Sequence, residues 1–387
     1  MKKITYMFFC ILFIMFFTYS HSLYVYFSGQ TYDAVNKETF EFRMNNNMFV
    51  SFKDELIHIR DYINEKTKHN FVPSGNKKIL GYYLTKDKGV IELSGYSKYS
   101  YEEYGKIFNE FNSYLKSKNI DFVYMEGFQK NHFEKKILKK YDLIYDEDSY
   151  KKFFSILEQN SINYIDSKSI MEKIINKDEA LFYKTDYHWT SETAKKMALY
   201  FGNYVNNQLD YDLNLDVLDE NNFYPYIYQK QFRGYYSRIF GLSDKFYDNF
   251  YYYLYKDDIN TKFSYRDNKK EKVGTFNNAL YDNVFNISKS DIFTPYDREM
   301  HGTKPYKKVK NYNISNGKKL LVIADSQFFA MGPYVSLLFK NVDVIDIRKN
   351  YGDFSGSVKK YIENYNPDLV LYLTTTFDIN DCKKILK

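Results

Sequence analysis

Cysteine is almost missing from this chain. Cys10 and Cys382 are its only two in 387 residues, so no disulfide framework holds the fold together. Stability must come from a core, which a chain of this length builds without difficulty. Cys10 also lacks the neighbours of a lipidation site. No arginine-rich stripe is present either. The net charge of +6 is modest, and the basic residues are scattered among acidic ones, so nucleic acid is not an expected partner. A mildly basic surface would suit an anionic wall polymer or a lipid surface without singling one out. His, Cys and carboxylate residues do not recur at metal-ligand spacing, so no metal is expected. No internal repeat or low-complexity linker splits the chain. Tryptophan occurs once, against 43 tyrosines and 34 phenylalanines. Base composition accounts for the tyrosine excess as readily as sugar stacking does.

The N-terminus supplies a clearer signal. Lys2 and Lys3 precede an apolar run at 6–17, the charged and apolar regions of an export signal. With its flanks, the stretch from 4 to 27 reaches the ~20 residues that span a bilayer. The two lysines would keep the N-terminus in the cytoplasm and place the rest outside. Residues 1–27 therefore read as an uncleaved anchor of a single-pass cell-membrane protein. Ser20, His21 and Ser22 form an imperfect cleavage site, which leaves secretion after cleavage as the alternative.

Residues 28–75 read as a polar stem with a helix at 54–66, and 76–387 as the main domain. In that domain strands are expected at 78–84, 120–125, 162–166, 320–324, 342–347 and 367–373. Helices are expected at 101–118, 149–159, 190–206, 328–339 and 355–364. An irregular insertion of loops and short helices, with room for a hairpin, is expected at 207–315. Strands alternating with helices predict an α/β fold with a mainly parallel sheet and helices on both faces. Ligands of such folds bind beyond the carboxyl ends of strands.

Ser326 lies at one such end. Of three Asp-Ser pairs, only Asp325-Ser326 follows an apolar strand and precedes what reads as an amphipathic helix. There the hydroxyl stands above the sheet, with the Ser326 and Gln327 amides facing any oxyanion; the plainer role for Ser326 is to cap the helix. His188 differs from His21, His58, His69, His132 and His301 in having Asp186 two residues away. In an extended segment both side chains point the same way, so the carboxylate reaches one ring nitrogen while the other faces Ser326. An acid, a base and a hydroxyl nucleophile are what acyl transfer requires. Tyr187 and Trp189 are pocket walls or core.

The phrase 185–190, Thr-Asp-Tyr-His-Trp-Thr, resembles the Asp-His-His-Trp signature of the DHHW proteins, relatives of the alginate O-acetyltransferases in the SGNH hydrolase superfamily. The resemblance extends from about Gly81 to Leu373. It takes in the phrase 231–234, the segment around Tyr296 and Gly302, the run 320–326, and Asp346 to Arg348. In that group the Asp-x-His pair precedes the serine, and so it does here. Tyr187 replaces the first His of the signature, Ala324 a Gly, and Gln327-Phe328 a smaller or aromatic continuation. Ser191 to Ala194 stand where a Gly-Ala pair is common.

The resemblance implies an SGNH-like fold with Ser326 as nucleophile, His188 as base and Asp186 as its orienting acid. Gln327, Gly302, Arg348, Trp189 and Tyr187 become candidates for substrate or oxyanion contacts. The expected activity is extracellular O-acetylation of a cell-surface, cell-wall or exported polysaccharide, with no bound cofactor. The acetyl group would come from acetyl-CoA through a membrane-bound O-acyltransferase partner. A carbohydrate esterase using the same three residues is one alternative. A non-catalytic wall-polysaccharide binding or assembly protein is another.

Overall fold

The computed structural model describes residues 71–73, 79–84, 90–94, 101–133, 147–174, 180–228, 232–236, 247–285, 295–315, 317–348, 354–375 and 379–387. The expected anchor at 1–27, the helix at 54–66 and nearly all of the stem lie outside these residues. Among the described helices, none is long and apolar enough to cross a membrane.

Three short strands come first: β1 (Phe71–Pro73), β2 (Ile79–Leu84) and β3 (Val90–Ser94), paired antiparallel in that order. They belong to one unit, made of residues 1–97, 133–145 and 236–246. All later elements lie in a second unit, residues 98–132, 146–235 and 247–387.

In the second unit, α1 (Tyr101–Lys116) opens with Glu102 and Glu103 and closes with Lys116, charges that complement the helix dipole. It buries Tyr104, Ile107, Phe108, Phe111 and Leu115, one face of a helical repeat. β4 (Asp121–Glu126), α2 (Glu147–Gln159), β5 (Asn163–Ile165) and α3 (Ser167–Ile174) follow. Next, α4 (Ser191–Leu209) starts at Thr190, whose side chain accepts the Thr193 N–H, and stops at Asp210 in the left-handed region. β6 (Phe223–Ile227) and β7 (Tyr251–Tyr255) pair with each other. Then come β8 (Phe263–Asp267), β9 (Glu271–Gly274), α5 (Phe276–Leu280) and β10 (Tyr306–Asn311). The C-terminal portion is β11 (Lys319–Ala324), α6 (Gln327–Leu338), β12 (Asn341–Ile345), α7 (Val358–Tyr365), β13 (Leu369–Thr374) and α8 (Ile379–Cys382).

The central sheet has the order β5-β4-β13-β11-β12-β10-β8-β9. From β5 to β12 every pairing is parallel. β10, β8 and β9 extend the sheet antiparallel. One face packs on α1, α2 and α7 through a core that includes Phe108, Phe153, Ile323, Ile345, Ile362 and Tyr372. Phe108 lies edge-on to Tyr124 at 5.1 Å and to Tyr372 at 5.0 Å. α6 covers the other face, packed on β10, β12 and β13 with α4 beside it.

Two expectations need correction. The irregular insertion at 207–315 instead supplies three strands of the central sheet. In β10, buried Lys307, Val309 and Asn311 alternate with exposed Lys308 and Lys310, a period of two hidden by its polar residues. α6, expected to be amphipathic, is buried along its whole length.

Candidate active site

Ser326 lies two residues past the end of β11 and opens α6 in helical backbone geometry, and its side chain makes no capping hydrogen bond. Asp325 does the capping. One carboxylate oxygen accepts the Gln327 N–H (3.0 Å), and the other accepts the Thr375 N–H (2.6 Å) and hydroxyl (2.5 Å). The turn is thereby pinned to the chain leaving β13, and Ser326 Oγ is left to face His188.

His188 stands on a strap formed by residues 181–190, which doubles back on itself. Thr190 N–H donates to Leu181 O (3.0 Å) and Tyr183 N–H to His188 O (3.3 Å), with a bridge between Phe182 and Trp189. Lys130 Nζ donates to Tyr183 O (2.9 Å) and Lys184 O (2.8 Å). The Asp248 carboxylate accepts the Lys184 N–H (2.7 Å), the Thr185 N–H (2.8 Å) and the Thr185 hydroxyl (2.6 Å).

Inside the strap, Asp186 Oδ1 accepts the His188 N–H at 3.0 Å and lies 2.6 Å from His188 Nδ1. An extended segment is not what brings the two side chains together. The chain achieves this with an Asx turn, in which the carboxylate curls back two residues along. His188 Nε2 is 2.9 Å from Ser326 Oγ, across 138 residues of sequence. Asp186, His188 and Ser326 thus form one continuous hydrogen-bonded chain.

Burial works against a charge on Asp186. The His188 ring and the N–H groups of Tyr235 and His188 outweigh it and hold the carboxyl below its usual range. An ionised Asp186 keeps the imidazole proton on Nδ1 and turns the Nε2 lone pair toward Ser326. The Tyr235 N–H reaches Asp186 Oδ2 at 2.6 Å. Gly234 permits that approach, since a Cβ there would meet Thr185 O at 2.4 Å and Asp186 Cβ at 2.5 Å. The His188 ring lies between Tyr187 (centroids 4.1 Å apart) and Tyr296 (4.0 Å). Their rings hold its plane.

The sheet has solved counterparts. A DHHW family protein from Eubacterium siraeum superposes with a TM-score of 0.57 at 16% identity, over 80% of this chain and 95% of that one. Bacillus cereus PatB1 gives 0.57 at 20% identity, over 76% and 97%. The same protein with a sulfonyl adduct gives 0.59 at 18%, over 76% and 96%. The family described as SGNH hydrolase-like domain, acetyltransferase AlgX, matches residues 90–246. The fold is SGNH-like. In this SGNH-like chain the resemblance to the DHHW and AlgX groups holds. The family match contains Asp186 and His188 and stops short of Ser326, whose place rests on the structure. No curated protein sequence matches the chain.

The remaining predicted residues of the SGNH-like site fall into two groups. Tyr187 and Arg348 are half-buried. Tyr187 lies edge-on to Tyr235 at 5.3 Å. Arg348 is gripped by Asp346, through Nε at 3.0 Å and an η nitrogen at 2.7 Å. Burial alone would loosen its proton; Asp346, with the nearby charge of Asp325, holds it more tightly than usual.

Gln327, Trp189 and Gly302 need correction. Both polar atoms of the Gln327 side chain bind the strap and its N–H is held by Asp325, so it is no oxyanion donor. Trp189 is fully buried with its indole N–H on Phe128 O (3.3 Å), which makes it core. Gly302 gives its N–H to Glu299 O (3.2 Å), closing a left-handed turn with Met300 and His301. By contrast, the Ser326 N–H meets no acceptor among the described residues. Of the other histidines, His132 and His301 are buried away from Ser326, and His21, His58 and His69 lie outside the described residues. Among the described residues no cluster could hold a metal.

Thr185, Tyr235, Asp248 and Tyr296 join the site without having been expected there from the sequence. Thr185, Tyr296 and the phrase 231–234 beside Tyr235 left a trace, as parts of the resemblance; Asp248 left none.

Proposed function

We propose that this protein is an O-acetyltransferase that carries acetyl groups on Ser326 to hydroxyls of a cell-surface or exported polysaccharide. The observation that carries this reading is the Asp186–His188–Ser326 chain, with steps of 2.6 Å and 2.9 Å, in a fold whose family match is an acetyltransferase domain. His188 Nε2 takes the Ser326 proton as Oγ attacks the donor's acetyl carbonyl. The tetrahedral oxyanion is met by the Ser326 N–H, with the Arg348 guanidinium adding positive charge. His188 returns its proton to the leaving group, and acetyl-Ser326 remains. A sugar hydroxyl, deprotonated by His188, then attacks the acyl carbon, and collapse restores the serine. The half-buried rings of Tyr187 and Tyr235 offer apolar surface to the acceptor sugar.

The donor acetyl originates from cytoplasmic acetyl-CoA and reaches the site through a membrane-bound O-acyltransferase. Residues 1–27 hold the protein at the membrane with its catalytic unit outside. Transfer to water instead of sugar would make the same residues an esterase.

The test supplies an activated acetyl ester with and without oligosaccharide. Acetylated sugar is the expected product, and acetate alone would assign hydrolysis. PatB1 accepts a sulfonyl adduct, so a sulfonyl fluoride is a suitable probe and should label Ser326. Ser326→Ala and His188→Ala should each lower acyl transfer by about 10³- to 10⁶-fold. Full transfer in either variant overturns the assignment.

A further inference from the structure

We infer that Gln327 is a positioning residue: carried on the nucleophile's own helix, its side-chain amide sets the approach of His188 to Ser326. This deepens the acyl-serine reading and rests on it. Gln327 directly follows Ser326, so its backbone moves with the nucleophile. Its Nε2 donates to Tyr187 O at 3.1 Å, and its Oε1 accepts the Trp189 N–H at 3.2 Å. These are the peptide groups on either side of His188. A primary amide presents one donor and one acceptor side by side, which matches the C=O and N–H of a strand edge. The strap is therefore held to the start of α6 at two points that straddle the base.

The other contacts of the strap complete the arrangement. The His188 N–H is taken by Asp186 at 3.0 Å, and its C=O by the Tyr183 N–H at 3.3 Å. Those bonds shape the strap internally but do not fix it against α6. Gln327 does, and it is buried, so water does not compete for the two bonds.

The experiment compares wild type, Gln327→Leu, Gln327→Glu and Ser326→Ala with an activated acetyl ester, from about pH 6 to about pH 9. Gln327→Leu should lower kcat by about 10- to 100-fold with KM nearly unchanged, the effect of a misplacement of about 1 Å. In Gln327→Glu an ionised carboxylate cannot donate to Tyr187 O, whereas a protonated one restores both bonds. Burial raises the pKa of such a carboxyl, so the activity of Gln327→Glu relative to wild type should climb as pH falls. A purely structural role would leave that ratio flat. Wild-type kcat in Gln327→Leu, or a flat ratio, overturns the proposal.

Ser326→Ala separates the two claims, because activity equal to wild type defeats the acyl-serine reading itself. Gln327 is then judged without turnover, by the low-field Nδ1 proton resonance of His188. It should move in Gln327→Leu and return in acidified Gln327→Glu; no movement in Gln327→Leu overturns the clamp.

Discussion

A methyl group on residue 234 would meet main-chain atoms of Thr185 and the Asp186 Cβ, and backbone yields less readily than the tip of a side chain. Gly234→Ala must therefore lift residues 232–235 off the strap and take the Tyr235 N–H away from Asp186 Oδ2. Folded Gly234→Ala should lose about 10- to 100-fold in kcat, measured on an acetyl ester with circular dichroism as the check on folding. Unchanged kcat would show that Asp186 needs only its bonds to His188. Asp186, His188 and Ser326 were legible in the sequence because an acid, an imidazole and a hydroxyl are recognisable side chains and their setting is distinctive. Gly234 and Tyr235 were not, because they act through a missing Cβ and a backbone N–H. Gln327 was legible as a neighbour of the serine, but its partners are peptide groups 138 and 140 residues away.

Helices and parallel strands were the most readable elements. Amphipathic spacing marks α1, and Thr190 marks the start of α4, where its hydroxyl accepts the Thr193 N–H at 3.2 Å. Thr190→Ala should cost ~1 kcal/mol of stability, visible as a lower urea midpoint with an unchanged slope. A loss of activity far beyond that of stability would mean that the cap also holds the strap ending at Thr190. β4, β11 and β13 were readable as apolar runs because both faces of the sheet are covered. β8 and β10 escaped notice because charged and amide side chains occupy part of their alternating pattern, and only the pairing β12-β10-β8 gives that pattern meaning. α6 was legible as a helix but not as a fully buried one, since only the assembled fold shows that the sheet, α4 and neighbouring segments leave it no exposed face.

At the scale of the whole molecule, burial pushes the carboxyls of Glu126 and Glu299 up to about 8 from their usual 4.5. Between those values the folded state keeps protons that the unfolded chain releases. Each group's contribution is intact below its unfolded pKa and is lost as pH rises toward 8. Glu299→Gln keeps the shape and removes one such proton. Its unfolding free energy should fall less steeply than wild type between about pH 6 and pH 8, by roughly 1.4 kcal/mol per pH unit. Urea titrations at several pH values measure this, and parallel slopes would mean that folded Glu299 is already ionised. The sheet order has a consequence for assembly. β13 lies between β4 and β11 although it is made after both. A growing chain therefore holds its acid–base pair long before its serine, with a slot open at the middle of the sheet. Topology leaves the half-made sheet in two pieces until that keystone strand drops in.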